Sequence, residues 1–206
     1  MRNYRLYLIR HGRTRANDEG IYIGRTDYAL SDKGRLELVE KMENYDYPYV
    51  DVVYSSPLKR CTETAELLYP GTDLIAVPDL QEMYLGKFEN KSFDDLLTDK
   101  EYQAWMEGGK GAAPPEGESA DEVMARAYKA LHGIIMDMMD REVYNGAVIT
   151  HAGIIIDMLT GFCLPKVQDG AVKIPFGEGF ELQASASMWA RSQVCELCGI
   201  VPLDKA

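Results

Sequence analysis

The sequence predicts an α/β fold built on a mostly parallel sheet. Short apolar segments typical of buried strands alternate along the chain with helical segments, and several of the helical segments begin at recognisable capping residues. The chain has 206 residues, of which 46% are hydrophobic and 27% are charged, as in ordinary globular proteins. We therefore expect one domain over residues 1–206, with its own hydrophobic core.

Strands are predicted where apolar or β-branched residues cluster in short runs. These runs are residues 4–9, 51–54, 73–77, 147–150, 173–174 and 179–184. The dipeptide Asn145-Gly146 is a turn signal that precedes the fourth of them.

Helices are predicted from their N-terminal signals. Ser31 caps a helix over 31–44, and Ser56-Pro57 opens a helix to residue 68, with Ser56 as the cap and Pro57 in the first turn. Ser119 and Glu122 form a capping box before a long helix to residue 141. Further helices are expected over 154–159 and 188–198.

The charge balance bears on possible partners. The net charge is −11, which argues against a nucleic-acid-binding protein, and no apolar run is long enough to span a membrane. The N-terminus lacks the pattern of a secretory signal, so we expect a cytoplasmic protein. Residues 1–15 contain five arginines and no acid, which indicates either a local anion site or a solvated strand edge.

The cysteines do not indicate a cofactor. Cys195 and Cys198 form a lone C-x-x-C pair with no second pair and no histidine nearby. We interpret them as buried thiols on the C-terminal helix rather than as metal ligands or redox groups, and we expect no cofactor.

Two histidines follow apolar strands and precede small residues. His11 follows Leu8-Ile9-Arg10, and His151 follows Val148-Ile149-Thr150. In open α/β sheets, ligands bind beyond the carboxyl ends of the strands, so both imidazoles are expected at one crevice. The third histidine, His132, falls within the long helix and is expected to serve packing or lie at the surface.

Two other strand ends supply charged groups. Arg60 lies just after Ser55-Ser56-Pro57, where a third strand ends and a helix begins, and it could bind an anion or pair with Glu63 or Glu66 on its own helix. Glu82 follows the strand at 73–77 and is either an acid/base group or an ordinary exposed glutamate.

Two histidines, arginines and a glutamate around one crevice suit phosphoryl transfer through a covalent histidine. The transferred group spreads negative charge over three oxygens, which arginines and a histidine can neutralise. A neutral imidazole can attack phosphorus, and a carboxylic acid can protonate the leaving oxygen.

The motifs resemble those of the histidine phosphatases, or phosphoglycerate mutase-like proteins. Six blocks occur in the family's order across residues 5–160. They are Leu8-Ile9-Arg10-His11-Gly12-Arg13-Thr14-x-x-Asn17, Gly24-x-x-Asp27-x-x-Leu30-Ser31-x-x-Gly34, Ser55-Ser56-Pro57-Leu58-x-Arg60-x-x-x-Thr64-Ala65, Leu80-x-Glu82-x-x-x-Gly86-x-x-Glu89, Gly117-Glu118-Ser119 and His151-Ala152-Gly153. The last 45 or so residues match only loosely.

The resemblance implies a three-layer α/β/α sandwich and a role for each matched residue. His11 is implied as the phosphorylated nucleophile, and Glu82 as the acid/base. Arg10, Arg60 and His151 are implied to hold the phosphoryl oxygens. Assisting groups that bind the phosphate are implied at Gly12, Thr14, Asn17, Gly24 and the backbone of Ala152. No metal is implied.

Two departures from the family pattern leave questions open. Arg13 stands where the family often has Glu or Gln, and it could contact the far end of the substrate or pair with Asp18 or Glu19. Phe88-Glu89-Asn90 stands where Trp-Glu-Gly often follows Gly86, which affects the start of the excursion over residues 88–118.

That excursion is acidic, contains no arginine and is expected to lie over the active-site edge of the sheet. The family's mutases carry basic residues there, so the sequence favours a phosphatase acting on a small phosphomonoester. The compact length and Gly117-Glu118-Ser119 are similar to the bacterial alpha-ribazole phosphatase group. A cofactor-dependent phosphoglycerate mutase and a non-catalytic phosphoryl-binding relative remain the alternatives.

Overall fold

The computed structural model describes residues 3–168, 170 and 172–205. Its strands are β1 (Asn3–Arg10), β2 (Tyr45–Asp46), β3 (Val52–Ser55), β4 (Leu74–Ala76), β5 (Asn145–Thr150), β6 (Cys163–Leu164), β7 (Gly179–Ser185), β8 (Cys195–Val201) and β9 (Leu203–Asp204). Its α-helices are α1 (Arg15–Asp18), α2 (Asp32–Asn44), α3 (Lys59–Leu68), α4 (Phe93–Leu96), α5 (Lys100–Glu107), α6 (Ala120–Asp140), α7 (Ala152–Phe162) and α8 (Ala186–Ser192). Short 3-10 turns cover Pro78–Leu80 and Gly86–Phe88.

The described strands form one mixed sheet in the order β4-β3-β5-β1-β7-β8-β6, while β2 and β9 pair separately. The first four strands in this order are mutually parallel, and β7 runs antiparallel to both β1 and β8. Arg10 at the end of β1 is level with Thr150 of β5, and Ser55 at the end of β3 is level with Ile149. The carboxyl ends of three adjacent strands therefore meet at one edge.

Helices cover both faces of the sheet. Leu6 and Leu8 of β1 pack into a core with α6, α7 and α8, and the alternating residues Tyr7 and Ile9 pack into a second core with α2 and α3. Because successive side chains of a strand point to opposite faces, one strand contributes to both cores. The predicted three-layer α/β/α sandwich is confirmed.

Residues 88–118 form an excursion with a small core of its own. Phe88, Leu96 and Tyr102 are buried together with Leu85 in a cluster separate from the two main ones. Backbone hydrogen bonds join the excursion to the segment after α1. The N–H of Tyr22 donates to the carbonyl of Lys91, and the N–H of Asn90 donates to the carbonyl of Tyr22. It therefore lies over the edge where β1, β3 and β5 end.

Two predicted N-terminal signals are confirmed, and one is wrong. Ser31 caps α2, and Ser119 with Glu122 forms the capping box of α6. Helix α3, however, begins at Lys59 with no side-chain cap. The hydroxyl of Ser56 accepts only a long 3.5 Å hydrogen bond from the N–H of Leu58, which precedes the helix, and it lies 3.0 Å from the Nε2 atom of His151.

The predicted turn at Asn145-Gly146 is also wrong, since both residues belong to β5. A Cβ at Gly146 would lie 3.2 Å from the Met138 sulfur and 3.5 Å from the Tyr54 ring. Close packing in the sheet, rather than chain reversal, accounts for this glycine.

The remaining errors lie towards the C-terminus. Residues 173–174 form a loop rather than a strand. The helix predicted over 188–198 is α8, which ends at Ser192, and Cys195 and Cys198 lie in β8. The exposure of β8 alternates along its length as in a half-buried strand, so Cys195 is buried and Cys198 is exposed. The described part of the chain contains no helix with the length and hydropathy of a membrane span.

Candidate active site

His11 and His151 face each other at the carboxyl edge of the sheet. Their ring centroids are 5.1 Å apart in an edge-on arrangement, and both side chains are buried. The adjacent parallel strands β1 and β5 fix this pairing, since the backbone N–H of His11 donates to the carbonyl of Thr150 at 2.9 Å. The structure thus brings together the two histidines that the sequence places at strand ends.

The imidazole of His11 is oriented by its own backbone. Its Nδ1 lies 2.7 Å from the carbonyl oxygen of Gly12. A carbonyl oxygen only accepts, so Nδ1 carries the ring proton and Nε2 has a free lone pair. Burial and the positive charge of Arg60 lower the pKa of His11 well below its usual value, so the ring is neutral at physiological pH.

Both nitrogens of His151 have partners. Arg60 Nε donates to Nδ1 over a long 3.4 Å, which places the ring proton on Nε2, where the Ser56 hydroxyl lies 3.0 Å away. The thiol of Cys61 is 3.6 Å from the same Nε2. Burial, and next Arg60, lower the pKa of His151 well below its usual value, so this ring is neutral too.

Arg60 reaches into the site rather than along its own helix. It is 1% exposed and donates through its two terminal nitrogens to the carbonyls of Gly24 at 2.6 Å and Thr26 at 2.9 Å. Glu63 pairs with Arg35 instead, at 2.6 Å. Since a guanidinium has five N–H groups and three are engaged, two are left for an anion.

Arg10 is held by the loop before β7. One terminal nitrogen donates to the carbonyl of Ile174 at 2.6 Å, and the guanidinium carbon lies 3.8 Å from the centroid of the Phe176 ring. The Nε atom of Arg10 is buried with no partner among the described residues, so it is available to an anion. The Phe176 ring is also 5.8 Å from that of His11, which places Arg10 beside the nucleophile candidate.

Arg13 forms ion pairs. Its Nε lies 3.0 Å from a carboxylate oxygen of Glu37, and its terminal nitrogen is 3.6 Å from Asp18. Its guanidinium carbon also lies 4.6 Å from the centroid of the Phe176 ring. Of the two alternatives for Arg13, the pairing with Asp18 is observed, with Glu37 rather than Glu19 as the second partner.

The other arginines of residues 1–15 do not gather into one anion site. Arg5 pairs with Glu181, and Arg15 pairs with Glu19. Arg2 lies outside the described residues. The arginines that are close in the sequence therefore have different partners in the structure, and among the described ones Arg10 faces the histidines.

Glu82 lies beside the first turn of α7. A Cβ on Gly153, two residues after His151, would be 3.0 Å from its Oε1. The backbone N–H of Met83 donates to the same oxygen at 2.9 Å. Burial raises the pKa of Glu82 above its ordinary value, although the Met83 N–H and Arg60 oppose the shift. Glu82 is thus not an ordinary exposed glutamate, because this environment favours the protonated acid.

The residues implied to assist in phosphate binding differ in whether their hydrogen-bonding groups already have partners within the protein. The N–H of Gly12 donates to the Thr64 hydroxyl at 2.9 Å, and Thr14 with Asn17 forms the capping box of α1. Gly24 donates its N–H to Glu89 and its carbonyl accepts from Arg60. Ala152 is the first residue of α7, where a backbone N–H has no intrahelical acceptor and suits an anion.

Sequence reasoning missed three contributions to this site. Phe176 lies in a loop with no motif, and no local signal pointed to it. Ser56 and Glu89 belong to the quoted motifs, but their contacts with His151 and with residues 24–26 depend on the folded chain. No group of three potential metal-ligating side chains is found within the described ranges.

Known proteins resemble this chain in sequence. The family model for the histidine phosphatase superfamily (branch 1) matches residues 6–169. The chain is 26% identical over 196 residues to the adenosylcobalamin/alpha-ribazole phosphatase of Salmonella typhimurium, covering 93% of this chain and 91% of that protein.

Solved structures share the fold. The alpha-ribazole phosphatase of Shigella flexneri superposes with a TM-score of 0.77 at 23% identity, covering 98% of this chain and 96% of the other. The phosphoglycerate mutase of Thermus thermophilus has a TM-score of 0.67 at 28% identity, covering 97% and 99%. With the family model matching most of its length, the chain belongs to the histidine phosphatase superfamily.

Proposed function

We propose that this protein is a phosphatase that hydrolyses a small phosphomonoester through a phosphohistidine at His11, without a metal ion. The observation that carries the proposal is the 2.7 Å contact between His11 Nδ1 and the Gly12 carbonyl. It fixes the tautomer that leaves Nε2 as the nucleophile, in a ring kept neutral by burial and by Arg60. The phosphatase relatives support the reaction class.

In the first half of the reaction, the lone pair of His11 Nε2 attacks phosphorus and the bond to the ester oxygen breaks. Glu82, whose pKa is raised by burial, gives its proton to that oxygen. The unpartnered Nε of Arg10, the free N–H groups of Arg60 and the N–H of Ala152 neutralise the equatorial oxygens.

His151 contributes through a change in protonation. In the free protein its Nδ1 accepts from Arg60, so it has no donor to offer there. A phosphoryl group carries negative charge, which favours a second proton on the ring. A proton from water adds to Nδ1 as the phosphoryl group binds, and the imidazolium then donates Nδ1–H to a phosphoryl oxygen. The proton returns to water when inorganic phosphate leaves.

In the second half, the Glu82 carboxylate takes a proton from water, and the resulting hydroxide oxygen attacks phosphorus. The bond from phosphorus to Nε2 breaks, the electron pair returns to the ring of His11, and inorganic phosphate leaves. Glu82 is then protonated for the next cycle.

The experiment is hydrolysis of p-nitrophenyl phosphate with and without a chelator, in the parent protein and in His11→Ala. We expect turnover that survives chelation and falls at least about 10³-fold in the variant, as for other lost nucleophiles. Equal turnover in His11→Ala would overturn the proposal, and no turnover in the parent would favour a non-catalytic phosphoryl-binding protein. His132→Ala is the matched control, since that ring contacts Tyr128 and Trp189 rather than the site.

The intermediate can be trapped directly. Glu82→Gln retains the nucleophile but loses the acid, so an activated ester should phosphorylate His11 and the second step should stall. Acid-labile phosphate on the peptide containing His11, detected by mass spectrometry, is the expected result.

A mutase remains the second candidate, because the Thermus thermophilus structure named as a phosphoglycerate mutase is 28% identical. The acidic excursion, which contains no arginine, argues against a doubly anionic acid held there. Incubation with 3-phosphoglycerate and its bisphosphate primer separates the two reactions, since only a mutase yields 2-phosphoglycerate.

A further inference from the structure

The buried charge of Arg60 requires compensation. Its side chain is 1% exposed, and it forms no direct ion pair with a carboxylate in the part of the chain that the structure describes. Burying a charged group without a compensating charge is strongly unfavourable. The carboxylates whose charges act on Arg60 are those of Glu82, Asp27 and Glu89. The shortest hydrogen bonds of Arg60 are instead those to two backbone carbonyls, of Gly24 and Thr26.

The opposite side of the same turn faces a carboxylate. Glu89 accepts hydrogen bonds from the backbone N–H groups of three consecutive residues: Gly24 at 3.1 Å, Arg25 at 2.8 Å and Thr26 at 3.1 Å. The hydroxyl of Thr26 and the N–H of Leu85 also donate to it. Although burial raises the pKa of Glu89, the donors, with Thr26 first, lower it overall, so the group is ionised.

The turn at residues 24–26 therefore lies between a negative and a positive side chain. Its N–H groups donate to Glu89, and the carbonyls of Gly24 and Thr26 accept from Arg60. The peptide between Gly24 and Arg25 has its N–H on the anion and its carbonyl on the cation, so its dipole is aligned favourably with both charges. The packing is tight, because a Cβ at Gly24 would overlap the carbonyl oxygen of Met83. Moving the carboxylate would move the carbonyls that hold the guanidinium.

We propose that Glu89 is the positioning residue of Arg60, acting through the backbone of residues 24–26 as its counter-ion and as the clamp that fixes its acceptors. Glu89 itself is not expected to touch the phosphoryl group. The inference deepens the proposed function, since Arg60 is the group proposed to hold the phosphoryl oxygens.

The test is a double-mutant cycle with Glu89→Gln, Arg60→Ala and the combined variant. Inorganic phosphate binding is measured by calorimetry, and kcat and KM are measured with p-nitrophenyl phosphate. Glutamine has nearly the same shape but carries no charge. We expect Glu89→Gln to weaken phosphate binding roughly tenfold or more when Arg60 is present, and less than about twofold when it is absent, as for directly coupled neighbours.

Two further variants distinguish the positioning of Arg60 by Glu89 from a non-specific loss of stability. Thr26→Val removes one donor to Glu89 and should weaken phosphate binding in the same direction by a smaller factor. Glu101→Gln changes an exposed carboxylate on α5 and should leave binding within about twofold, as expected for a surface site. A merely structural role of Glu89 would lower stability in both backgrounds equally.

The same four proteins of the cycle are unfolded in urea without ligand. Glu89→Gln should lower the midpoint more when Arg60 is present than in the Arg60→Ala background, because only then does a buried cation lose one of its counter-ions. Additive effects in both binding and unfolding would overturn the inference. Because unfolding needs neither phosphate nor turnover, failure of the phosphatase proposal would leave this result interpretable.

Discussion

The imidazole rings of His11 and His151 meet edge-on, with an interplanar angle of 62° and 5.1 Å between the two centroids. Two buried histidines this close cannot both be charged at low energetic cost, and Arg60 adds a third potential charge beside them. The site therefore keeps both rings neutral in the free protein.

The pH dependence of turnover should reflect opposite shifts of two groups. Activity needs neutral His11 and protonated Glu82, and the pKa of His11 is lowered while that of Glu82 is raised. With phenyl phosphate, whose leaving group needs a proton, we expect kcat/KM to fall as the pH rises through the pKa of Glu82. The acid limb due to His11 should lie well below pH 6.5.

In Glu82→Gln, the alkaline limb due to the carboxyl group should disappear. The rate with phenyl phosphate should fall by about 10²- to 10⁴-fold, the usual contribution of general acid catalysis. The second ionisation of the ester, near pH 6 for phosphate groups, is common to both proteins and cancels in the ratio of their profiles. An unchanged alkaline limb in the variant would assign the acid to another residue.

Stability should fall as the pH decreases below about 6.5, the ordinary pKa of histidine. Because His11 and His151 have lowered pKa values in the folded protein, the unfolded chain binds more protons in this range. Each ring contributes at most about 1.4 kcal/mol of lost unfolding free energy per pH unit.

Urea unfolding at pH 7, 6 and 5 measures this linkage. His11→Asn and His151→Asn should each reduce the dependence on pH by up to one proton. Thr64→Ser, which alters a buried neighbour that does not titrate, should keep the parent slope. Parallel slopes in all four proteins would contradict the buried neutral state of the histidines.

Phe176 should contribute to anion binding through Arg10. The ring contacts the guanidinium of Arg10 at 3.8 Å, and such cation–π contacts contribute about 0.5–2 kcal/mol. Phe176→Leu should therefore raise the inhibition constant of inorganic phosphate by about 2- to 30-fold, with a smaller effect on kcat. Phe176→Tyr retains the aromatic face and is the control. Equal inhibition by phosphate in Phe176→Leu would show that the Ile174 carbonyl alone holds Arg10.

Ser56 should fix the orientation of His151. Its hydroxyl is 3.0 Å from Nε2, and its removal leaves a buried N–H with only the weak Cys61 sulfur as a partner. Ser56→Ala should lower the unfolding free energy by about 1–3 kcal/mol and shift the ¹⁵N resonances of His151. Ser55→Ala is the matched control, since this buried hydroxyl donates to the Ser56 carbonyl instead. Unchanged histidine resonances in Ser56→Ala would exclude the positioning role.

Local patterns predicted the elements that carry the site. The apolar runs before His11 and His151 become β1 and β5, and the capping residues Ser31 and Ser119 begin their helices as expected. These signals are reliable because a cap or a strand end is satisfied by atoms within a few residues.

The wrong predictions occur where a distant contact outweighs the local signal. Ser56 turns from the helix it precedes to His151, 95 residues away. Gly146 serves packing against Met138 instead of a turn. In β8, pairing with β7 outweighs the helical interpretation of residues 188–198.

The sequence by itself determined the family, the strands β1, β3 and β5, and the chemical groups that follow these strands, because short, contiguous motifs encode each of them. The tertiary structure decided which atoms of those groups are free to react. Arg10 depends on Phe176, and Arg60 depends on Glu89 through residues 24–26. Such contacts join residues far apart in the chain, and only the packed sheet and its excursion bring them within hydrogen-bonding distance.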